Sequence, residues 1–153
     1  MKKFFVTFFD WPPIWLLFAM SQVWLLSRVF PSLSYPTKIL GVVGWTLIVA
    51  GVVLMILSAY LFWRHRTSVI PKRTPNSLIT TGPYRFSRNP IYLADLMILI
   101  GMALIFGAIT ALIPIVAFVS VINARFIKHE EGYMQAEFGD VFSTYCTQVR
   151  RWI

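Results

Sequence analysis

Four stretches of this chain are almost free of charged side chains, and they strongly limit what it can fold into. They cover residues 11–30, 39–63, 91–106 and 108–124. About 20 consecutive apolar residues cross the hydrocarbon core of a bilayer as an α-helix. A soluble domain rarely reaches 58% hydrophobic residues, as this 153-residue chain does. The sequence therefore predicts an all-α integral membrane protein, a single membrane domain over residues 1–153 with about four transmembrane helices.

The third and fourth stretches are predicted to form a short helical hairpin. The apolar run over residues 91–123 is too long for one ordinary span, and Gly107 and Pro114 interrupt it. A turn near Gly107 leaves arms of about 16 residues, short for a full crossing. Local thinning of the bilayer or burial against the longer helices would accommodate them.

The basic residues indicate how the chain is oriented in the membrane. With four spans, 12 of the 14 Lys and Arg residues fall on the side of both termini, and only Arg28 and Lys38 fall on the other. The positive-inside rule then places the termini, the loop 64–90 and the tail 125–153 in the cytoplasm. The sequence predicts a protein of the inner or plasma membrane with a cytoplasmic C-terminal helix. Basic residues beside apolar runs suit lipid head groups, so no nucleic-acid partner is expected.

Cysteine and histidine usage excludes two kinds of site. Cys146 is the one cysteine, so the chain cannot form an internal disulfide framework. His65 and His129 are the only histidines and do not form a ligand cluster at usable spacing, so no metal is expected.

The central loop ends in a turn that carries several polar side chains. Gly82 and Pro83 favour a turn, Pro90 suits the first turn of a helix, and Asn89 is a natural N-cap. Arg88, Tyr92 and Asp95 would share one face of that helix. Two interpretations stay open: Arg88 and the tyrosines anchor the helix at the interface, with Arg88 paired to Asp95, or these residues line a pocket.

The tail contains four of the six acidic residues in the chain. Glu130 and Glu131 follow the last span by about two helical turns, close enough to the membrane to face the central loop. An ordinary solvated amphipathic helix would explain such charges. Two adjacent carboxylates at the membrane surface also offer a receptor for a cationic ligand.

Two motifs in the second half resemble a known family. They are L-x-x-x-G-x-Y-x-x-x-R-N-P-x-Y over residues 78–92, and R-x-x-x-x-E-E followed by E-F-G-D-x-F-x-x-Y over residues 125–145. Together they are similar to the superfamily of isoprenylcysteine carboxyl methyltransferases and phospholipid methyltransferases. The likeness covers about residues 76–153. It implies an integral membrane enzyme that uses S-adenosyl-L-methionine.

The resemblance also implies which residues form the site. The family's acidic pair corresponds to Glu130 and Glu131, one of which should contact the charged methionine portion of the cofactor, and Arg125 resembles the arginine that handles a substrate carboxylate. The positions that match cofactor contacts are Asn76, Ser77, Leu78, Ile79, Tyr84, Arg88, Asn89, Pro90, Ile91 and Tyr92. Carboxyl methyltransferases of the family show R-H-P-x-Y, whereas this chain has Asn89, as the phospholipid branch tends to. The glycine-pair signature of some phospholipid methyltransferases is not evident before Gly82.

The function predicted from the sequence is methyl transfer from S-adenosyl-L-methionine to a membrane lipid or a small hydrophobic acceptor, on a carboxylate, amine or thiol. No G-x-G-x-x-G motif is present, so a Rossmann-type methyltransferase is excluded. Two alternatives stay open. One is a small four-helix transporter with Asp95 as its coupling carboxylate. The other is a non-catalytic accessory protein of the same fold.

Overall fold

The computed structural model describes residues 11–31, 38–65 and 77–153. The elements in these ranges are all helical, which confirms the all-α prediction. In chain order they are α1 (Pro12–Val29), α2 (Lys38–Arg64), a 3-10 turn (Gly82–Arg85), α3 (Pro90–Phe106), a 3-10 turn (Ile109–Ala111), α4 (Leu112–Ile122), a π-helical turn (Asn123–Ile127) and α5 (Lys128–Gln148).

Two helical stretches within the described ranges are long and apolar enough to cross a membrane. The first is α2, with 27 residues, a mean hydropathy of 2.6 over its most apolar window, and only 11% of that window buried. The second is the continuous stretch Ile109–Gln148, which includes α4 and α5. The first contains the predicted span 39–63, and the second includes all but the first residue of the predicted span 108–124. All four membrane crossings stay predictions, two of them at stretches whose length and composition suit a span.

Glycine and proline set the helix ends as their backbone chemistry requires. Pro12 and Pro90 each begin a helix, where a missing N–H costs no helical hydrogen bond. Gly107 ends α3 in the left-handed region at φ 64°, which is costly for residues with a side chain. Pro114 lies in the first turn of α4, so it does not break that helix. The chain therefore turns at Gly107, the position that the sequence indicated.

Small residues bring α2 and α3 into backbone contact. A Cβ atom placed on Gly101 would lie 2.5 Å from the carbonyl oxygen of Gly44, and one on Gly51 would lie 2.9 Å from that of Ala94. The two contacts are seven residues apart on each helix, so they form one seam along the helix pair. Close packing through small residues is a common way for apolar helices to associate in a bilayer. The seam fixes where α3 presents Tyr92.

A kink in α5 turns its second half toward the central loop. Gly139 has φ 49° and ψ −121°, a conformation that is essentially restricted to glycine. Beyond it, Phe142 and Tyr145 are buried in a small cluster with Leu78. The larger core lies between α1, α3 and α4 and includes Val23, Leu99 and Ile122. Residues 78–89 and the tail thus pack on each other, at the end of the molecule where α3 begins.

Candidate functional site

The segment before α3 is held against α5 by a buried hydrogen bond. Tyr84 lies in the 3-10 turn Gly82–Arg85 and is buried, with its ring edge-on to Phe62 at 5.8 Å between centroids. The Tyr145 hydroxyl donates to the Tyr84 carbonyl oxygen at 2.6 Å. Burial raises the pKa of the Tyr84 phenol far above its usual value, so Tyr84 stays neutral. Tyr84 therefore contributes a packed ring and a carbonyl acceptor to the site, and no charge.

Asn89 occupies the N-cap position of α3, but its side chain does not cap the helix. Its amide Nδ2 instead donates to the carbonyl oxygen of Arg151 at 3.0 Å, and its backbone N–H donates to the Ser87 hydroxyl at 3.1 Å. The predicted capping bond is therefore replaced by a contact between segments 62 residues apart. The side chain is used to join the tail to the turn before α3.

Tyr92 and Glu130 connect the two sequence motifs directly. The Tyr92 hydroxyl donates to Glu130 Oε1 at 2.7 Å. Tyr92 is buried, and its ring lies 6.4 Å from that of Phe126. Burial raises the pKa of the Glu130 carboxyl and the charge of Glu131 adds to the rise, while the Tyr92 hydrogen bond opposes it. The site thus brings together a carboxylate from the tail and a phenol from the first turn of α3.

Glu131 is ion-paired with two arginines. Arg151 holds it with two hydrogen bonds, from Nε to Oε1 at 3.0 Å and from Nη2 to Oε2 at 2.6 Å. Arg88 Nη1 lies 3.3 Å from Oε1 and also donates to the thiol sulfur of Cys146. Arg88 is therefore paired with Glu131, not with Asp95 as one interpretation of the sequence held. Asp95 is buried on the second turn of α3.

The adjacent glutamates differ in what surrounds them. Successive residues of an α-helix point about 100° apart, so Glu130 faces Tyr92 while Glu131 faces the arginines. Glu131 is neutralised by the guanidinium groups. In the part of the chain that the structure describes, Glu130 receives the hydrogen bond of a neutral phenol and pairs with no cationic side chain. Of the two glutamates, Glu130 is therefore the one whose negative charge no described cationic side chain compensates.

A cleft of about 590 Å³ lies between the segment after residue 77 and the second half of α5. Its walls mix apolar, hydroxyl, amide and guanidinium groups, from Leu78, Thr80, Arg85, Val141, Thr144, Tyr145, Gln148 and Val149. Glu130 and Glu131 are not among its lining residues. The cleft is joined to the glutamates through neighbouring residues. Tyr145 lines the cleft, and the next residue, Cys146, contacts Arg88, which pairs with Glu131.

The remaining predicted site residues are placed as follows. Asn76 lies outside the described residues. Ile79 and Pro90 are buried, Ile91 is half-buried, and Ser77 has a buried hydroxyl oxygen with no hydrogen-bond partner among the described residues.

Arg125 lies on the π-helical turn with its guanidinium carbon 5.5 Å from the ring centre of Trp15, on the side of α1. A π-helical turn often marks a functional position in a helix.

Several contact residues were not predicted from the sequence. Arg151 pairs with Glu131, and the Trp152 indole N–H donates to the Asn123 side-chain oxygen at 3.3 Å. Trp15 lies under Arg125. An Arg beside a Trp is typical of a membrane-surface anchor, so no local signal in the sequence indicated that Arg151 and Trp152 contact the site. Tyr145 was included in the second motif, but its partner could not be read from it.

These observations define a small helical protein with two candidate membrane-spanning stretches, in which residues 77–92 and the tail together build a half-buried acidic site. The family model described as phospholipid methyltransferase matches residues 39–141, more than half of the chain, so the protein belongs to the phospholipid methyltransferase family. That family consists of membrane-associated methyltransferases. The resemblance inferred from the two motifs is confirmed.

A curated relative covers a smaller part of the chain. Over 63 residues the chain is 38% identical to a protein of Haemophilus influenzae described as an uncharacterized protein. The match spans 41% of this chain and the whole of that protein. No solved structure matches the chain.

Proposed function

We propose that the protein is an S-adenosyl-L-methionine-dependent methyltransferase that acts at the cytoplasmic membrane interface on a lipid or a small hydrophobic acceptor. The observation that carries the proposal is the 2.7 Å hydrogen bond from Tyr92 to Glu130. It joins the R-N-P-x-Y turn to the acidic pair, so two motifs that are far apart in sequence form one site. The family supplies the reaction class.

The residues around Glu130 suit a cationic methyl donor. S-adenosyl-L-methionine carries positive charge on its sulfonium and amino groups. The half-buried carboxylate of Glu130, which has no cationic partner among the described residues, is a favourable site for such charge. The Ser77 hydroxyl, buried and without a partner among the described residues, is available to a polar ligand atom. The residues proposed to line the cofactor site are Asn76, Ser77, Leu78, Ile79, Tyr84, Arg88, Asn89, Pro90, Ile91, Tyr92 and Glu130. Glu131, which the sequence also offered, is proposed to support the site by pairing with Arg88 and Arg151.

The nearby cleft fits the rest of such a molecule. Leu78 and Val149 offer apolar walls for a purine, while Thr80, Thr144 and Gln148 offer hydrogen bonds to ribose or base. Pockets for cofactors have this mixture of apolar surface and a few polar groups. Leu78 belongs both to the cleft and to the stretch that matches the family's cofactor contacts.

When bound, S-adenosyl-L-methionine supplies an electrophilic methyl group. The work of the protein is then to bind, orient and exclude water. Glu130 attracts the cationic portion of the cofactor, and the Tyr92 hydroxyl keeps the carboxylate in place. An amine or thiol acceptor must also lose a proton, which Glu130 or Asp95 can accept directly or through water. A carboxylate acceptor needs no base.

The proposed membrane topology gives the cofactor and the methyl acceptor separate routes to the site. In the proposed four-span topology, the loop 64–90 and the tail 125–153 face the cytoplasm, so the soluble cofactor arrives from water. A lipophilic acceptor moves laterally between helices and presents its head group at the interface. Arg125, on the π-helical turn beside Trp15, is proposed to receive a negatively charged group of the acceptor.

The transporter alternative is less well supported by the position of Asp95. A coupling acid is expected near the middle of the membrane. Asp95 instead lies on the second turn of α3, one turn beyond Tyr92 and near the cytoplasmic end of the proposed span. The accessory-protein alternative differs from the enzyme in turnover, which an assay decides.

A methyl-transfer assay tests the proposal. We expect purified protein, incubated with methyl-labelled S-adenosyl-L-methionine and a total membrane lipid extract, to place label in one lipid-soluble product. Glu130→Gln should lose this transfer, because it removes the charge that holds the donor. Exposed Glu137 lies two turns further along α5, so Glu137→Gln is the matched control and should retain activity. Cofactor binding without any labelled product would favour the accessory protein.

A further inference from the structure

The chain beyond α5 crosses the turn before α3, and we call residues 149–152 the strap. Its backbone bonds to that turn at two successive carbonyl groups. The Arg150 carbonyl oxygen accepts the Arg88 N–H at 3.0 Å, and the Arg151 carbonyl oxygen accepts Asn89 Nδ2 at 3.0 Å. The Ser87 hydroxyl lies 3.4 Å from the same Arg151 oxygen. The strap thus holds the turn that carries the R-N-P motif through hydrogen bonds to Arg88 and Asn89.

The side chain of Arg151 fastens the strap to α5 as well. Its guanidinium binds both oxygens of Glu131, at 3.0 Å and 2.6 Å. Such two-point, charge-assisted pairs fix geometry better than single hydrogen bonds. Arg151 therefore bonds to the turn before α3 through its backbone and to α5 through its side chain. It joins the two elements that Tyr92 and Glu130 also connect.

We infer that Arg151 is a positioning residue, which clamps the turn before α3 onto α5 and so sets the place of Glu130 opposite Tyr92. In this arrangement the acidic pair has divided roles. Glu131 is neutralised by Arg88 and Arg151 and holds the clamp, whereas Glu130 is left for the cationic ligand. The effect on the cofactor rests on the proposed function, but the clamp itself does not.

A different role for Arg151, as an internal competitor for the cofactor, is less consistent with the contacts. A cofactor that used Glu131 would have to displace two guanidinium groups, one of them held at two points. Glu130 needs no such displacement. The two roles predict opposite results on removing Arg151: a positioning residue supports cofactor affinity, and a competitor lowers it.

Cys146 provides a reporter of the clamp that does not depend on the cofactor. It is the one cysteine in the chain, it is half-buried, and its sulfur contacts Arg88. Opening of the strap frees Arg88 and exposes the thiol to a maleimide. Arg151→Gln should therefore raise the labelling rate of Cys146 about fivefold, a moderate effect because the pair is partly exposed. Arg150→Gln is the matched control, since Arg150 is the exposed neighbour on the same strap.

Cofactor affinity is measured on the same variants by calorimetry in detergent. We expect Arg151→Gln to weaken S-adenosyl-L-methionine binding about tenfold, the scale of losing one charge-assisted contact of the site. Arg151→Lys should restore part of the affinity, and Arg150→Gln should match the wild type. By linkage, saturating cofactor should slow Cys146 labelling in the wild type.

The outcomes separate the inference from the proposed function. Unchanged labelling in Arg151→Gln would reject the clamp. Faster labelling with wild-type or stronger cofactor affinity would reject the positioning role, and stronger affinity would indicate a competitor. If the wild type itself binds no cofactor, the proposed function fails and the cofactor role of Arg151 fails with it, while the labelling rates still decide whether the clamp exists.

Discussion

Glu130→Gln should lower the affinity for S-adenosyl-L-methionine about 100-fold. Removing one partner of a buried charge pair costs about 3 kcal/mol, and each 1.4 kcal/mol is a factor of ten. Gln keeps an oxygen that can accept the Tyr92 hydrogen bond, so the fold should persist. Calorimetric titration of detergent-solubilised protein measures the affinity.

Two comparisons make this result specific to the charge of Glu130. Glu137→Gln changes an exposed carboxylate on the same helix and should leave the affinity unchanged. Because the pKa of Glu130 is raised, lowering the pH should protonate it sooner than an exposed glutamate and weaken cofactor binding. The Glu130→Gln variant should lack that pH dependence. Equal affinity of the variant and the wild type would remove Glu130 from the cofactor site.

Gly101→Leu should reduce the free energy of unfolding by about 3 kcal/mol, the upper range for overpacking a well-packed contact. Even a Cβ atom at this position would lie 2.5 Å from the backbone oxygen of Gly44, so α2 and α3 must separate. Their separation displaces Tyr92, which α3 carries. We therefore expect cofactor binding to be lost together with stability.

Gly41→Leu is the control for this substitution. Gly41 lies on α2 with no atom within 4 Å of an added Cβ, so the same change meets no backbone there. Unfolding of both variants is followed by helical circular dichroism as sodium dodecyl sulfate is titrated into mild detergent. Similar unfolding midpoints for the two would show that the seam does not hold α2 and α3 together.

The helices could be predicted because their determinants are local. An apolar run shows where a helix can lie in a membrane, proline marks its first turn, and a glycine such as Gly107 marks its end. The two motifs at residues 78–92 and 125–145 were also visible, and the family match confirms what they resemble. The apolar composition indicated a membrane protein rather than a soluble domain, and the matched family is membrane-associated.

The partners of the polar side chains could not be predicted, because they depend on contacts between distant segments. Asn is a residue type that favours the N-cap position, yet the Asn89 side chain donates to a carbonyl oxygen 62 residues away. Arg88 is closer in sequence to Asp95 than to Glu131, yet it pairs with Glu131, which the tail carries to it. The different surroundings of Glu130 and Glu131 follow from the direction in which α5 leaves the π-helical turn. No pattern in the sequence encodes that direction.

The proposed position of the site at the cytoplasmic surface is tested most directly by the side from which the cofactor reaches it. S-adenosyl-L-methionine is charged and does not cross a lipid bilayer unaided. Methyl-labelled cofactor is added to sealed membrane vesicles of either orientation that contain the protein. Inside-out vesicles should incorporate label into lipid at once, and right-side-out vesicles only after permeabilisation. Label that enters lipid in intact right-side-out vesicles, and not in inside-out ones, would contradict a cytoplasmic site.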